Sequence, residues 1–166
     1  MPTEVCSLKV DVNQLIQPNV WTLVRFPYDT ESTDPFNMHD PGRPPPGGPV
    51  LEWSTDDRSS LIWPSSSGWA SLYALIQWAA PPAQSGCGTG TEYRDQFIRD
   101  PLNYTATNPS DTTATHHRAA TVGGNYFEKS WGIFVNPTVP LALRVRHNCS
   151  QALALTLAEF KVAIHL

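Results

Sequence analysis

Pro140-Leu141-Ala142-Leu143-Arg144-Val145-Arg146-His147 alternates Leu141, Leu143 and Val145 with Ala142, Arg144 and Arg146. A two-residue period with charge held in one phase predicts a strand with one face in a core and one in water. Asn148-Cys149-Ser150-Gln151 follows with turn chemistry. Beyond it, Ala152 to Leu166 carries Leu153, Leu155 and Leu157 in one phase and Phe160, Val162, Ile164 and Leu166 in the other. Ala, Leu and Glu would also suit a helix. Strict alternation on both sides decides for one long strand, with a β-bulge or bend where the phase slips, near Ala158-Glu159.

Working outward, Trp131-Gly132-Ile133-Phe134-Val135 reads as a short apolar strand ended by Asn136-Pro137. Leu61-Ile62-Trp63 leads into the turn Pro64 to Gly68, and Trp69 to Trp78 forms the next strand. There Leu72, Ala74, Ile76 and Trp78 share one face, while Tyr73 and Gln77 point the other way. Weaker strand signals lie at Tyr93–Arg99 and Thr115–Val122, and Trp21–Phe26 supplies another near the start. Sixteen prolines and ten glycines leave little room for a helix of three turns. Eight or so short strands separated by turns predict an all-β antiparallel sandwich or barrel.

The length of 166 residues suits a single domain, assigned to residues 20–166. Residues 1–19 are either an extended arm or the first strand. Leu8, Val10 and Val12 alternate ahead of Pro18, and as an arm they would dock on a neighbouring subunit by strand addition. The loop 41–49 is too rich in proline to pair in a sheet. It reads as extended, partly polyproline chain, with Pro44, Pro45 and Pro46 as docking candidates, and it lacks the glycine period of collagen.

Charged residues make up 16% of the chain, against about 25% in ordinary soluble domains, while hydrophobic residues make up 40%. Part of the surface is therefore expected to be covered by partner chains. Net charge is −4 and the Lys and Arg residues are scattered, which argues against nucleic acid as a partner. No apolar stretch approaches the roughly 18 residues of a membrane span. Met1-Pro2-Thr3-Glu4 lacks the features of a secretory signal, so synthesis in a cytoplasm without general secretory export is expected. Cys6, Cys87 and Cys149 are odd in number and show no CxxC spacing, which predicts three unpaired thiols and no zinc site.

Candidate chemistry is sparse. His116-His117 would point to opposite faces of a strand, which does not suit a shared metal ion. Asp56-Asp57-Arg58 resembles a capped turn, and His39-Asp40 is ordinary loop composition. Glu92, Asp95 and Asp100 could serve a glycosidase, but Arg94 and Arg99 among them predict surface neutralisation instead. Gly86-Cys87-Gly88-Thr89-Gly90 lacks the Lys-Ser/Thr of a phosphate loop, and no Gly-x-Ser-x-Gly is present. No catalytic residue, metal ligand or cofactor is expected, and the chain is read as a non-enzyme.

The order of these segments resembles the C1q and tumour-necrosis-factor jelly roll over roughly residues 50–166. Gly68-Trp69 opens a strand that closes at Trp78. Asn136-Pro137-Thr138-Val139-Pro140 then separates two late apolar strands, and the last runs to Leu166. The Gly-Asp usual before the late strand is here Val139-Pro140. The opening, Trp21-Thr22-Leu23-Val24-Arg25-Phe26-Pro27-Tyr28-Asp29 with Phe36-Asn37-Met38-His39, is similar to small minor tail proteins of actinobacterial tailed phages. These resemblances imply a homotrimeric virion protein of the tail tip or fibre, bound to other virion proteins and open to a host-surface glycan. Tyr73 and Gln77 would face the trimer axis, although Tyr73 could instead lie under a loop of its own chain. The loop 79–92 and the segment 100–118 are recognition candidates. A capsid decoration protein is the second reading, and a polysaccharide depolymerase the third.

Overall fold

The long C-terminal strand organises the molecule. The computed structural model describes residues 2–29, 32–43, 47–83, 85–105 and 114–166. Among them lie the strands β1 (Thr3–Val10), β2 (Gln14–Ile16), β3 (Thr22–Leu23), β4 (Gly68–Trp78), β5 (Glu92–Arg99), β6 (Thr115–Arg118), β7 (Asn125–Val135), β8 (Leu141–His147) and β9 (Leu153–His165). A single turn of 3-10 helix covers Asp57–Ser60; Asp56 caps it by accepting from the Arg58 amide. The first sheet runs β1-β9-β4-β7, with β2 also on β9, and the second runs β3-β8-β5-β6. Every pairing is antiparallel.

Alternation places one phase of each strand between the sheets. From the first sheet come Leu72, Ala74, Ile76, Trp78, Leu155, Phe160, Val162 and Ile164, and from the second Tyr93, Phe97, Leu143 and Val145. Phe160 and Phe97 stack across the gap with ring centres 5.6 Å apart, and Trp78 meets Tyr93 at 5.1 Å. The phase slip in β9 falls at Thr156-Leu157, ahead of Ala158-Glu159. Gln77 is paired with Leu157 and Trp78 with Leu155, so Thr156 is the extra residue. Its hydroxyl donates to the Gln77 carbonyl at 3.2 Å. Gly68 is required where β4 begins, because a Cβ there would stand 2.8 Å from the His165 carbonyl oxygen.

One open alternative is resolved, and two expectations need correction. Residues 3–10 form the first strand of the domain's own sheet, paired with β9 from Thr3–His165 to Val10–Ala158. Leu8 and Val10 are core residues and cannot dock on a neighbour, while Val12 stays 55% exposed. The strand expected at Trp131–Val135 starts six residues earlier, at Asn125. Cys87 and Cys149, expected as unpaired thiols, form a disulfide with Cα atoms 5.1 Å apart. The loop after β4 and the turn after β8 meet at one end of the sandwich, an approach that separation in sequence does not reveal. Cys6 lies in the core. Pro44, Pro45 and Pro46 lie outside the described residues.

His147 shows how that end is held. The Cys149 amide donates to its Nδ1 at 3.2 Å, and its Nε2 lies 2.9 Å from the Ile16 carbonyl. An acceptor at Nδ1 and a donor at Nε2 define the neutral ring. Burial pushes its pKa down, against an opposing contribution from the Ile16 carbonyl. The unfolded chain therefore binds this proton more readily than the fold does. This contribution to stability is intact above the unfolded value of about 6.5 and is lost as pH falls below it. In urea titrations between pH 7.5 and 5, His147→Gln is expected to flatten the fall in stability seen in the parent. An unchanged slope would remove His147 as its source.

Candidate functional site

The outer face of the first sheet is built by the strand phase that avoids the core. Trp69, Ser71, Tyr73, Leu75 and Gln77 of β4 share it with Tyr126, Glu128, Ser130, Gly132 and Phe134 of β7, following the register of those strands. Trp69 is 56% exposed, Tyr126 63% and Phe134 57%. Trp69 and Phe134 are cross-strand partners at one end, and Gln77 and Tyr126 at the other. The Trp69 indole lies across Gly132, where a Cβ would come 2.8 Å from Cζ2 of the ring. Glycine at 132 thus lets the tryptophan lie flat against the sheet.

Tyr73 occupies the middle of this face. Lys161 Nζ stands 5.3 Å from its ring centre and is itself paired to Glu159 at 2.7 Å. Partial burial first, then the Glu128 and Glu159 carboxylates, push the Tyr73 hydroxyl pKa up, so it stays a neutral donor. A shallow groove of about 260 Å³ runs beside Tyr73, Glu128 and Ser130. Tyr73 and Gln77 are half-buried and lie in the outward phase. Tyr126 escaped the sequence reading because Glu128, Lys129 and Ser130 break the apolar run, and Phe134, read within the short strand Trp131–Val135, was not assigned to this face. The signal that could have found them is the alternation Tyr126, Glu128, Ser130, Gly132, Phe134.

The charged residues singled out by sequence have other work. Asp95 and Asp100 are buried, which corrects their placement in a surface-neutralised cluster. Asp95 takes Lys129 Nζ at 3.0 Å and His117 Nε2 at 2.7 Å, while His117 stacks on Phe127 at 4.1 Å. Asp100 accepts from the amides of Tyr104 and Thr105, both at 2.8 Å, and from the Thr105 hydroxyl at 2.6 Å. Burial raises the Asp100 pKa, but these donors outweigh it and the net shift is downward. Glu92 pairs with Arg94, and His116 Nδ1 sits 3.8 Å from the same carboxylate. Adjacent His116 and His117 do face opposite ways, exposed and half-buried respectively. His39 is buried, with Nε2 2.9 Å from the Ser59 carbonyl and its ring 4.3 Å from that of Tyr28.

Of the recognition segments, the loop after β4 is tied down by the Cys87–Cys149 bond and by a hydrogen bond from the Ser150 hydroxyl to the Ser85 carbonyl. Residues 106–113 of the second segment lie outside the described residues.

Two antiparallel sheets in this order, closed by a C-terminal strand at the centre of one of them, make a C1q/TNF-like jelly roll. Eiger TNF from S. frugiperda superposes with a TM-score of 0.54 at 12% identity, covering 100% of this chain and 94% of that one. The globular domain of the zebrafish complement 1qA protein gives 0.60 at 5% identity, covering 99% and 98%. Murine APRIL gives 0.51 at 11% identity, covering 99% and 100%. No protein-family model matches the sequence, and no curated protein does.

Proposed function

We propose that this chain is a non-enzymatic structural component of a virion, a minor tail protein of a tailed phage that assembles as a homotrimer through the outer face of its first sheet. The observation that carries the reading is the exposed aromatic set Trp69, Tyr126 and Phe134, arranged around Tyr73 and Leu75. Exposed apolar patches of this kind mark association surfaces, and aromatic residues contribute most to interface energy. The sparse charge of the chain supports the same reading. The phage assignment rests on the likeness of the opening segment Trp21–Asp29 to small minor tail proteins. The likeness to solved structures is one of fold and carries no role across.

Mass by light scattering is expected at three times the 18.3 kDa chain. Tyr73→Glu with Phe134→Ser should yield monomers that keep the parent circular-dichroism spectrum. Three carboxylates would then meet at the centre of the assembly, where removal from water is costly. A parent that stays monomeric at tens of micromolar would sink the trimer. Counting copies in purified particles tests the location: a handful places the protein in the tail, whereas hundreds would make it a capsid decoration protein.

A further inference from the structure

The outer face of the second sheet has the opposite character to that of the first. Arg94 of β5, Arg144 and Arg146 of β8 and His116 and Arg118 of β6 share the outward phase, and Leu23 of β3 lies beside Arg144. Arg94 and Arg146 are direct cross-strand partners. Glu92 shares that phase, opposite Arg118, and its ion pair with Arg94 offsets the like-charge cost of the Arg94–Arg146 pairing. The chain as a whole is acidic, at −4.

Arg144 is the decisive residue on this face. Its guanidinium lies 4.8 Å over the Trp21 ring, and its Nε donates to Gln96 Oε1 at 2.7 Å. Those two contacts hold the guanidinium in place. Arg25, Arg58 and Arg94 each have a carboxylate partner, in Asp57, Asp56 and Glu92. Among the described residues none lies within ion-pair distance of Arg144, although burial is sufficient to lower its pKa. A partly buried cation without an acid costs free energy that an incoming anion would recover.

The anion has a place to sit. Arg144 lines a groove of about 370 Å³ together with Trp21, Thr22, Leu23, Asp57 and Leu102. That volume lies at the lower end of small-ligand sites, roughly 300–1,000 Å³. Its lining sets apolar surface, suited to the C–H face of a sugar ring, beside Thr22, whose hydroxyl donates to the Val20 carbonyl at 3.4 Å and keeps a lone pair for a sugar hydroxyl, and beside Asp57, whose charge is offset by Arg25 at 2.7 Å. A guanidinium already fixed by an aromatic ring is pre-organised to take a carboxylate through two parallel hydrogen bonds. The groove is on the sheet facing away from the aromatic band, so self-association through that band would leave it open.

We infer that this groove binds a carboxylate-bearing sugar unit of a glycan, with Arg144 holding the carboxylate and Thr22, Asp57 and Leu102 holding the ring. The inference rests on the reading of the chain as a tail protein of a virion and adds a ligand to it, and it is tested on the isolated chain, so its failure would leave trimer and copy-number results standing.

The experiment is an NMR titration of the full chain with glucuronate, glucose, acetate and inorganic phosphate, following the Trp21 indole N–H. Glucuronate is expected to bind at least about ten-fold more tightly than glucose, which lacks the carboxylate, the scale of one charge-assisted hydrogen bond, and more tightly than acetate, which lacks the ring. Arg144→Gln should remove the advantage over glucose, and Arg144→Lys should keep part of it. Thr22→Val leaves the cation in place; it should weaken glucuronate about three-fold or more, the scale of one neutral hydrogen bond, and leave acetate unchanged. Equal binding of acetate or phosphate and glucuronate would reduce the groove to a plain anion site and overturn the inference. So would binding that is indifferent to both Arg144→Gln and Thr22→Val, or no glucuronate binding at all.

Discussion

Cys87→Ser with Cys149→Ser is expected to lower the melting temperature by about 8–16 °C, more than any single surface substitution would. The two cysteines are 62 positions apart, so the bond closes a long loop in the unfolded chain. The chain-entropy relation gives a loss of about 4 kcal/mol on removing it. A domain of this size loses roughly 2–4 °C for each kcal/mol. Other bonds to the loop after β4 hold its ends, joining Ala79 to Ala154 and both Gly90 and Thr91 to Ala119, while the Ser150–Ser85 hydrogen bond lies beside the disulfide. The Cys149 amide also donates to His147, so loosening the turn would disturb the buried ring that pins β2. Peptide mapping after thiol blocking should recover the 87–149 link, and a double variant that melts within about 2 °C of the parent would refute this account.

How much of this could be read from the chain follows from what alternation can encode. β8 and the two halves of β9 are legible because large apolar residues fill most inward positions, Leu141, Leu143 and Val145 in β8 and Leu153, Leu155, Phe160, Val162 and Ile164 in β9. The bulge was misplaced because Ala158, though buried, is too small to declare its phase. The strand expected over Trp21–Phe26 shrank to Thr22–Leu23, although Val24 still donates to the Leu143 carbonyl at 2.9 Å. The first half of β7 was missed because Glu128, Lys129 and Ser130 look like loop, although Phe127 and Lys129 both turn inward. The orientation of Tyr73 and Gln77 came directly from period two. The disulfide did not, since pairing of distant cysteines depends on which loops share an end of the sandwich. The groove at Arg144 was equally hidden: Trp21, Asp57 and Leu102 are brought together only when β3 joins β8.

Lys129→Met should cost about 3–5 kcal/mol, the usual penalty when one partner of a buried ion pair is removed. Lys129 enters the core from β7 in the first sheet and meets Asp95 from β5 in the second, so the pair joins the sheets near their β7 and β6 edges. The two side chains are only 6% and 2% exposed. Lys129 Nζ also reaches the Thr115 hydroxyl at 2.6 Å and the Asp95 carbonyl at 3.3 Å, and lies 5.6 Å from the centre of the Phe97 ring. Methionine would fill much of the volume but leave the buried Asp95 carboxylate facing His117 without the ammonium that balances it. The damage therefore comes from the stranded acid and not from lost packing. That distinction can be measured. Asp95→Leu added to Lys129→Met should restore most of the stability, because a buried pair replaced by apolar side chains is often neutral or better. Chemical denaturation of the two single variants and the double should then give a coupling of about 2 kcal/mol or more. Additivity within about 0.5 kcal/mol would mean that the two charges do not act as a unit.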